Sequence, residues 1–463
     1  MIKIFNQYYP IRNVLFVVGE GGLIFLSVIL AAMVRLGGLD DGWLGDNLIW
    51  SKIFLITLVC QVSLYYFDLY DLKVTDTFLE LGIRLLHALG VASIGLAVIY
   101  YIFPQLIMGR GIFFITLAFL VLLVTSWRFI YNLILRKNMF AQRLLLVGNG
   151  RLAADILAEL GEKPDSGYKI VGLVPMARGE RTSQTEIPIF EDIRDLKRLV
   201  EQEKVDKIVV SMDERRGALP VAELLDCRMN GTPVIEGETF YEILTGKILV
   251  EKINPSWLIF SEGFEKTPLH RVTKRLVGFA LASTGLLITA PVILITAIAI
   301  KLDSRGPVFF KQERIGEDGR IFKVYKFRSM RTDAELNSGP VWAQEDDPRI
   351  TRVGRIIRNL RIDEIPQMWN VLKGDMSFVG PRPERPHFVN ELRKSVPYYD
   401  QRHTVKPGIT GWAQVLYPYG ASEDDALQKL KYDLYYIKHM SVVMDLLIVI
   451  KTIKIVLFGR GSR

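Results

Sequence analysis

Cysteine is nearly absent from this sequence: 463 residues contain two. Cys60 lies in an apolar run and Cys227 in a soluble one, so neither a disulfide framework nor a metal-ligand spacing is available, and both read as packing residues. A reducing, cytosolic setting for the soluble part is compatible with that. No signal peptide is expected, because no short apolar core followed by a small-residue cleavage site opens the sequence. The net charge of +8 and the pI near 9.2 come without a recognised nucleic-acid motif. The positive excess therefore suits an anionic membrane surface and phosphorylated ligands, and nucleic acid is not an expected partner.

What the chain has in quantity is apolar sequence: 50% hydrophobic residues and a mean hydropathy of +0.23, too much for one soluble domain. Four runs, Val14 to Leu36, Leu48 to Phe67, Leu81 to Phe103 and Gly111 to Leu135, each approach the ~20 residues that cross a bilayer, and predict a four-helix transmembrane bundle. Glu20 in the first run is expected near the membrane surface, where interfacial water reaches it. Lys3 and Arg12 precede the bundle, Arg128, Arg136, Lys137 and Arg143 end it, and Asp40, Asp41 and Asp46 occupy the first loop, which puts both ends in the cytoplasm.

A fifth run, Leu276 to Ile300, has Lys274 and Arg275 before it and Lys301 after it. Pro291 deletes one helical hydrogen bond. A re-entrant helix that bends at Ala290-Pro291 and returns keeps both charged ends on one side, with Thr289 and Ser283 helping to satisfy freed carbonyls; a simple kinked span is the alternative. The last run, Val442 to Phe458, is interrupted by Asp445, Lys451 and Lys454 and reads as an interfacial amphipathic helix.

Between Arg143 and Gly263 short apolar strands alternate with amphipathic helices, the pattern of a Rossmann-like α/β domain. Strands are expected at Arg143 to Val147, Tyr168 to Val174 and Lys207 to Ser211. Gly148, Gly150 and Ala153 fit the small-residue turn that lets a pyrophosphate approach a helix N-terminus, but no acidic residue ends the second strand to hold a ribose. Both a structural or regulatory domain and a nucleotide site remain open at this point.

The chemistry concentrates near the C-terminus. Arg358-Asn-Leu-Arg-Ile-Asp-Glu-Ile-Pro-Gln-Met-Trp-Asn sets Asp363 and Glu364 side by side in basic surroundings. Pro366 belongs in a helix's first turn, which makes Asp363 the expected N-cap, near the positive helix end. A carboxylate can act as nucleophile toward phosphorus, with a divalent metal and nearby cations holding the phosphate oxygens; an ordinary N-cap with an acidic first turn is the bland alternative. Strands are expected at Val308 to Gln312 and Ile321 to Phe327, with Lys326 and Arg328 on one face by period-2 alternation. Arg358 and Arg361 precede Asp363, Arg382 is stiffened between two prolines, and Arg402 and Lys406 stand at another rigid turn. Each alone is an exposed basic residue at a turn; together they suit a diphosphate.

From Arg271 onward the chain resembles the monotopic phosphoglycosyl transferases, the bacterial sugar-transferase superfamily. The blocks that carry the resemblance are Lys274-Arg275, Ala290-Pro-Val, Gly306-Pro-Val-Phe-Phe-Lys-Gln-Glu-Arg-Ile-Gly, Phe322-Lys-Val-Tyr-Lys-Phe-Arg-Ser-Met, Arg361-Ile-Asp-Glu-Ile-Pro-Gln, Asn370-Val-Leu-Lys-Gly-Asp-Met-Ser-Phe-Val-Gly-Pro-Arg-Pro and Lys406-Pro-Gly-Ile-Thr-Gly-Trp-Ala-Gln-Val. Relatives often carry Ser where Ala290 stands. The preceding part resembles the extension of the family's large members. The resemblance implies a membrane protein of α plus α/β class: a transmembrane bundle over 1–140, a Rossmann-like cytosolic domain over 141–263, and a mixed α/β catalytic domain over 264–463 anchored by a re-entrant helix at about 275–301.

It also implies transfer of a sugar 1-phosphate from a nucleoside-diphosphate sugar to undecaprenyl phosphate at the bacterial inner membrane. Asp363 would form a phosphosugar-aspartyl intermediate, Glu364 would orient a metal or handle a proton, and Mg²⁺ would sit on Asp363 or Glu364. Asp433 is a further carboxylate that the resemblance brings near the site, with Tyr432, Tyr435 and Tyr436 as packing aromatics. Leu416-Tyr-Pro-Tyr-Gly-Ala-Ser and Tyr432-Asp-Leu-Tyr-Tyr resemble an exopolysaccharide branch. Large relatives imply a homodimer. A conventional lipid-acceptor glycosyltransferase and a non-catalytic assembly scaffold or regulator are the competing readings.

Overall fold

The computed structural model describes residues 2–4, 7–9, 11–37, 48–70, 78–136, 141–163, 166–176, 187–190, 193, 195–212, 219–252, 263–264, 267–334, 347–418, 420 and 422–458. The acidic loop with Asp40, Asp41 and Asp46, and Lys137 after the bundle, lie outside these residues. The chain divides into two compact units, chiefly Tyr8–Ile235 and Glu236–Arg463.

In the first unit the apolar runs fold as helices α1 (Ile11–Leu36), α2 (Ile49–Tyr66), α3 (Phe78–Ile102) and α4 (Arg110–Arg136). Among the described residues, five helices are long and apolar enough to cross a membrane, these four and the helix Pro268–Asp303. Ile24, Val28, Ile53, Leu64, Leu85, Leu120 and Val124 form their shared core. Glu20 is not reached by interfacial water: it is fully buried and ion-paired to Arg128, whose Nη2 and Nε lie 2.7 and 2.9 Å from Glu20 Oε1. Arg128 also donates to the Leu69 carbonyl, so it pins the turn after α2 instead of serving as a charge at the bundle's end. A buried charge in apolar surroundings persists when paired, and that pairing overrides the exposure expected from position alone.

The rest of this unit is a four-stranded sheet in the order β2-β1-β3-β4, from β1 (Gln142–Val147), β2 (Tyr168–Val174), β3 (Lys207–Val210) and β4 (Val234–Glu236). Strand β1 runs parallel to both β2 and β3, as alternating strands and helices require. Helices α5 (Arg151–Glu162), α6 (Leu196–Gln202) and α7 (Val221–Met229) connect the strands. Gly148 has φ +109, and a Cβ there would collide with Met212 and Ser211 at the end of β3. The tight approach of the chain's own backbone thus accounts for this glycine without a pyrophosphate. Gly150 caps α5, and Ala153 is fully buried on its inner face.

The second unit starts earlier than the 263/264 boundary read from the sequence. Helix α8 (Gly237–Thr245) follows β4 directly, and the segment after it packs Ile248 and Val250 into the core of residues 379–448. Next come the 36-residue helix α9 (Pro268–Asp303), the antiparallel hairpin β5 (Phe309–Ile315) and β6 (Ile321–Phe327), and helices α10 (Arg352–Asn359) and α11 (Gln367–Lys373). Strand β7 (Ser377–Val379) and helix α12 (Pro386–Ser395) are followed by β8 (Gly408–Thr410), parallel to β7. Helices α13 (Trp412–Leu416), α14 (Glu423–Lys438) and α15 (Val442–Phe458) complete the unit.

Helix α9 is continuous through Pro291, and Thr289 Oγ1 donates to the Gly285 carbonyl, which lies outside the one proline frees. Asp445 is not on a solvent face of α15: it is buried, and its carboxylate binds Lys274 Nζ and Tyr436 Oη.

Candidate active site

The adjacent carboxylates Asp363 and Glu364 owe their place to a short turn, not to a helix cap. Arg361 adopts a left-handed conformation (φ 55) and redirects the chain after α10 into the 3₁₀ turn Ile362–Glu364; α11 begins only after Pro366. Asp363 is therefore not the N-cap expected from Pro366, because the proline itself occupies the cap position. A non-glycine residue at such a φ costs conformational energy and recurs at functional sites.

The turn lies in a cavity of about 530 Å³ lined by residues from 307 to 433, including Lys326, Arg328, Arg358, Arg361, Asp363, Glu364, Arg382, Arg402 and Asp433. Lys326 reaches Glu364 from β6, Nζ to Oε1 at 3.0 Å, and Arg382 Nη2 meets the same oxygen at 2.7 Å. Arg382 is presented by the turn after β7. Gly380 there donates to Thr410 O, and a Cβ at Gly380 would collide with the backbone of residues 406–408, so only glycine lets β7 and β8 close around the turn.

Behind Arg382, the buried Arg402 donates to the Arg382 carbonyl (3.0 Å), to Asp433 Oδ2 (2.8 Å) and to Tyr399 Oη (2.6 Å). Arg402 and Asp433 hold the loop that carries Arg382 as well as lining the cavity.

Electrostatics separate the adjacent carboxyls. Burial pushes Asp363 up to about 6, with Glu364 adding to the rise and Lys326, Arg358 and Arg382 opposing it. Glu364 is also raised by burial, but Arg382 and Lys326 outweigh this and hold it well below the usual carboxylate range. Near neutral pH Asp363 is ionised yet poorly solvated, as suits a nucleophile, while Glu364 is a fixed anion clamped by two cations. Arg358 Nη1 is buried without a hydrogen-bond partner, a donor that an anionic ligand would satisfy. Asp433 is pushed up to about 6 by burial, against the neighbouring Arg402.

Two residues expected on the phosphate make other contacts. Arg328 lies past the end of β6, buried, and donates to the carbonyls of Ser304 and Arg305; it closes the C-terminus of α9, where free carbonyls attract a cation. It lines the cavity but is committed to that helix end. Lys406 donates to the Gly374 carbonyl at the end of α11 and is not in the cavity wall.

Other cavity residues escaped the sequence reading, among them Arg349, Tyr399 and Lys429. Lys429 precedes Asp433 by one helical turn, a spacing that would have placed it on the same face of α14.

Among the described residues no group of three His, Cys, Asp or Glu is close enough to form a metal cage. Mg²⁺ is commonly held by one or two carboxylates plus substrate phosphate oxygens, and Asp363 fits that use. Glu364 fits it less well, since Lys326 and Arg382 both occupy its Oε1.

A buried carboxylate that faces clustered cations, in a unit carrying a helix long and apolar enough to cross a membrane, is a site suited to phosphate chemistry. Residues 269–459 match the bacterial sugar transferase family and residues 65–219 match a CoA-binding domain, and the chain belongs to the bacterial sugar transferase family. It is 44% identical over 240 residues to the UDP-N-acetylgalactosamine-undecaprenyl-phosphate N-acetylgalactosaminephosphotransferase of Aeromonas hydrophila, covering 52% of this chain and 56% of that one. It is 32% identical over 330 residues to the undecaprenyl-phosphate glucose phosphotransferase of Komagataeibacter xylinus, 70% of this chain and 60% of the relative. With the UDP-glucose:undecaprenyl-phosphate glucose-1-phosphate transferase of Escherichia coli K12 it shares 34% over 330 residues, 69% of this chain and 68% of the relative. The chain thus spans little more than half the length of the first two relatives.

Proposed function

We propose that this protein transfers a sugar 1-phosphate from a nucleoside-diphosphate sugar, a UDP-hexose, to undecaprenyl phosphate, starting a glycan such as an exopolysaccharide. The observation that carries the reading is Asp363, buried and ionised beside a Glu364 already neutralised by Lys326 and Arg382. An Asp363 oxygen attacks the β-phosphorus, the bond from that phosphorus to the bridging oxygen breaks, and nucleoside monophosphate leaves with the electron pair. A phosphate oxygen of the lipid then attacks the same phosphorus and the Asp363 carboxylate departs, so charge and atoms balance. Arg358 and Arg382 bind the equatorial oxygens, and Glu364 holds Arg382 and Lys326 toward the reacting phosphorus. Asp363 would be the residue that holds a Mg²⁺ ion, which would offset the charge of the leaving group when bound.

The catalytic unit is proposed to face the cytoplasm of a bacterial inner membrane, with α9 entering and leaving on that side. Support comes from how α9 is held: Arg275 donates to Val371 O and Leu372 O, while Arg328 grips Ser304 O at the other end. Between them Leu287, Ile288, Leu294 and Ile295 are exposed, as a lipid-facing surface requires. A cysteine introduced after Lys301 is expected to be labelled only from the cytoplasmic face.

The deciding experiment incubates membranes with labelled UDP-sugars and undecaprenyl phosphate. Release of UMP, a diphosphate-linked lipid product and a trapped adduct on Asp363 support the proposal. Release of UDP would point to a conventional glycosyltransferase, and an Asp363→Asn variant that still turns over would overturn the assigned nucleophile.

A further inference from the structure

Helix α14 has the cavity on one side and the segment Gly237–Lys252 on the other. Lys429 and Asp433 project into the cavity wall, whereas Lys431, Lys438 and the following His439 meet the segment. The segment lies between the two family matches, which end at residue 219 and resume at 269. It is nevertheless fastened to the catalytic unit by three kinds of contact.

First, Glu242 of α8, 3% exposed, binds both Lys438 (Nζ to Oε2, 2.8 Å) and His439 (Nε2 to Oε1). Second, the Gly246 carbonyl at the end of α8 accepts from Trp412 Nε1 at 3.0 Å, and Trp412 begins the helix that follows β8. Third, Ile248 N donates to Lys431 O at 3.1 Å, and Lys431 Nζ pairs with Glu251 at 2.7 Å. A surface linker would not place a carboxylate in the interior with two basic partners; burying Glu242 is tolerable only because Lys438 and His439 meet both of its oxygens.

We propose that Glu242 is a positioning residue for the transfer reaction: through Lys438 and His439 it sets the seat of α14, and with it the chain Asp433–Arg402–Arg382–Glu364. The route is made of direct contacts. Asp433 on α14 binds Arg402, Arg402 binds the Arg382 carbonyl, and the Arg382 guanidinium binds Glu364 beside the nucleophile. Neither Lys438 nor His439 is in the cavity wall, so the effect of Glu242 is on geometry, not on substrate binding.

The inference rests on the proposed transfer function, and the test keeps the two apart. Purified full-length wild type, Glu242→Ala and Glu242→Gln are compared in detergent or vesicles, with turnover normalised to the fraction of chains that remain folded and monodisperse. Expected for Glu242→Ala is a fall in kcat on the order of 10- to 100-fold with KM for the UDP-sugar little changed, since a small misplacement of catalytic groups has that effect. Glu242→Gln, which keeps one acceptor, should fall less.

A double variant with Arg402→Lys should lose much less than the product of the single losses, because both act on one chain of contacts. If Glu242→Ala does not fold, Lys438→Met removes one arm of the contact and carries the same expectation. Wild-type turnover per folded molecule in these variants, or losses that multiply independently with Arg402→Lys, would overturn the inference. Wild type that releases no UMP would instead overturn the function on which it rests.

Discussion

Arg382 meets Glu364 with its guanidinium at 2.7 Å while its own carbonyl is held at 3.0 Å by Arg402. One residue thus joins the interior scaffold to the carboxylate beside Asp363. Lysine at 382 would keep the charge but lose the planar donor array, so Arg382→Lys is expected to slow UMP release on the order of 10- to 100-fold. The burst of UMP from enzyme and UDP-sugar without lipid acceptor measures this step alone. An unchanged burst would remove Arg382 from the first half-reaction.

Asp363 is expected to trade stability for reactivity. Its carboxyl is raised from 3.8 to about 6, with burial the largest cause. A raised folded value means that the group favours folding fully below 3.8, and that this contribution is lost as pH rises through 6. At pH above that window the ionised carboxylate opposes folding by roughly 1–3 kcal/mol. Asp363→Asn should therefore abolish turnover yet raise Tm when measured with chelator at neutral to mildly alkaline pH, and the gain should vanish under acid conditions. A Tm at or below wild type at the higher pH would contradict the assignment.

Arg402 and Asp433 are 5% and 1% exposed, so neither charge can turn to water when its partner is removed. Asp433→Ala or Arg402→Met alone is expected to cost about 3–5 kcal/mol, whereas the apolar pair Arg402→Met with Asp433→Leu should recover most of the stability. Turnover should not recover, since nothing then holds the Arg382 carbonyl. Thermal unfolding and UMP release on the same preparations separate the two effects.

Much of this arrangement was legible in the residues. Strands Tyr168–Val174 and Ile321–Phe327 and the helix Val442–Phe458 were marked by apolar runs whose length and spacing local structure decides. The basic surroundings of Asp363 and Glu364 were legible too, because two carboxylates among arginines stand out in any conformation. The errors came where tertiary contacts decide. Arg328 and Lys406 look like phosphate ligands by spacing, but bind helix-end carbonyls brought to them by distant segments. Glu242 gave no signal, since its partners are almost two hundred residues away. The N-cap assigned to Asp363 failed for a local reason, the left-handed Arg361 that inserts a separate turn before Pro366.

The bundle offers the last test, at Glu20 and Arg128, which hold α1 against α4 with 0% and 4% exposure. Removing either charge strands the other in apolar surroundings, but the losses should differ. Arg128 also donates to Leu69 O, and its guanidinium lies over the rings of Phe16 and Tyr70. Arg128→Met therefore breaks the ion pair, frees a carbonyl and removes two cation–π contacts, while Glu20→Gln leaves a hydrogen-bond acceptor in place. Arg128→Met is expected to lower the unfolding temperature in detergent clearly more than Glu20→Gln. Adding Glu20→Leu to Arg128→Met should restore part of the loss, because no charge then remains buried. Equal destabilisation by the two single variants would mean that the carboxylate contact alone, and not the whole environment of Arg128, joins α1 to α4; no restoration in the double would mean that the stranded Glu20 charge is not the source of the loss.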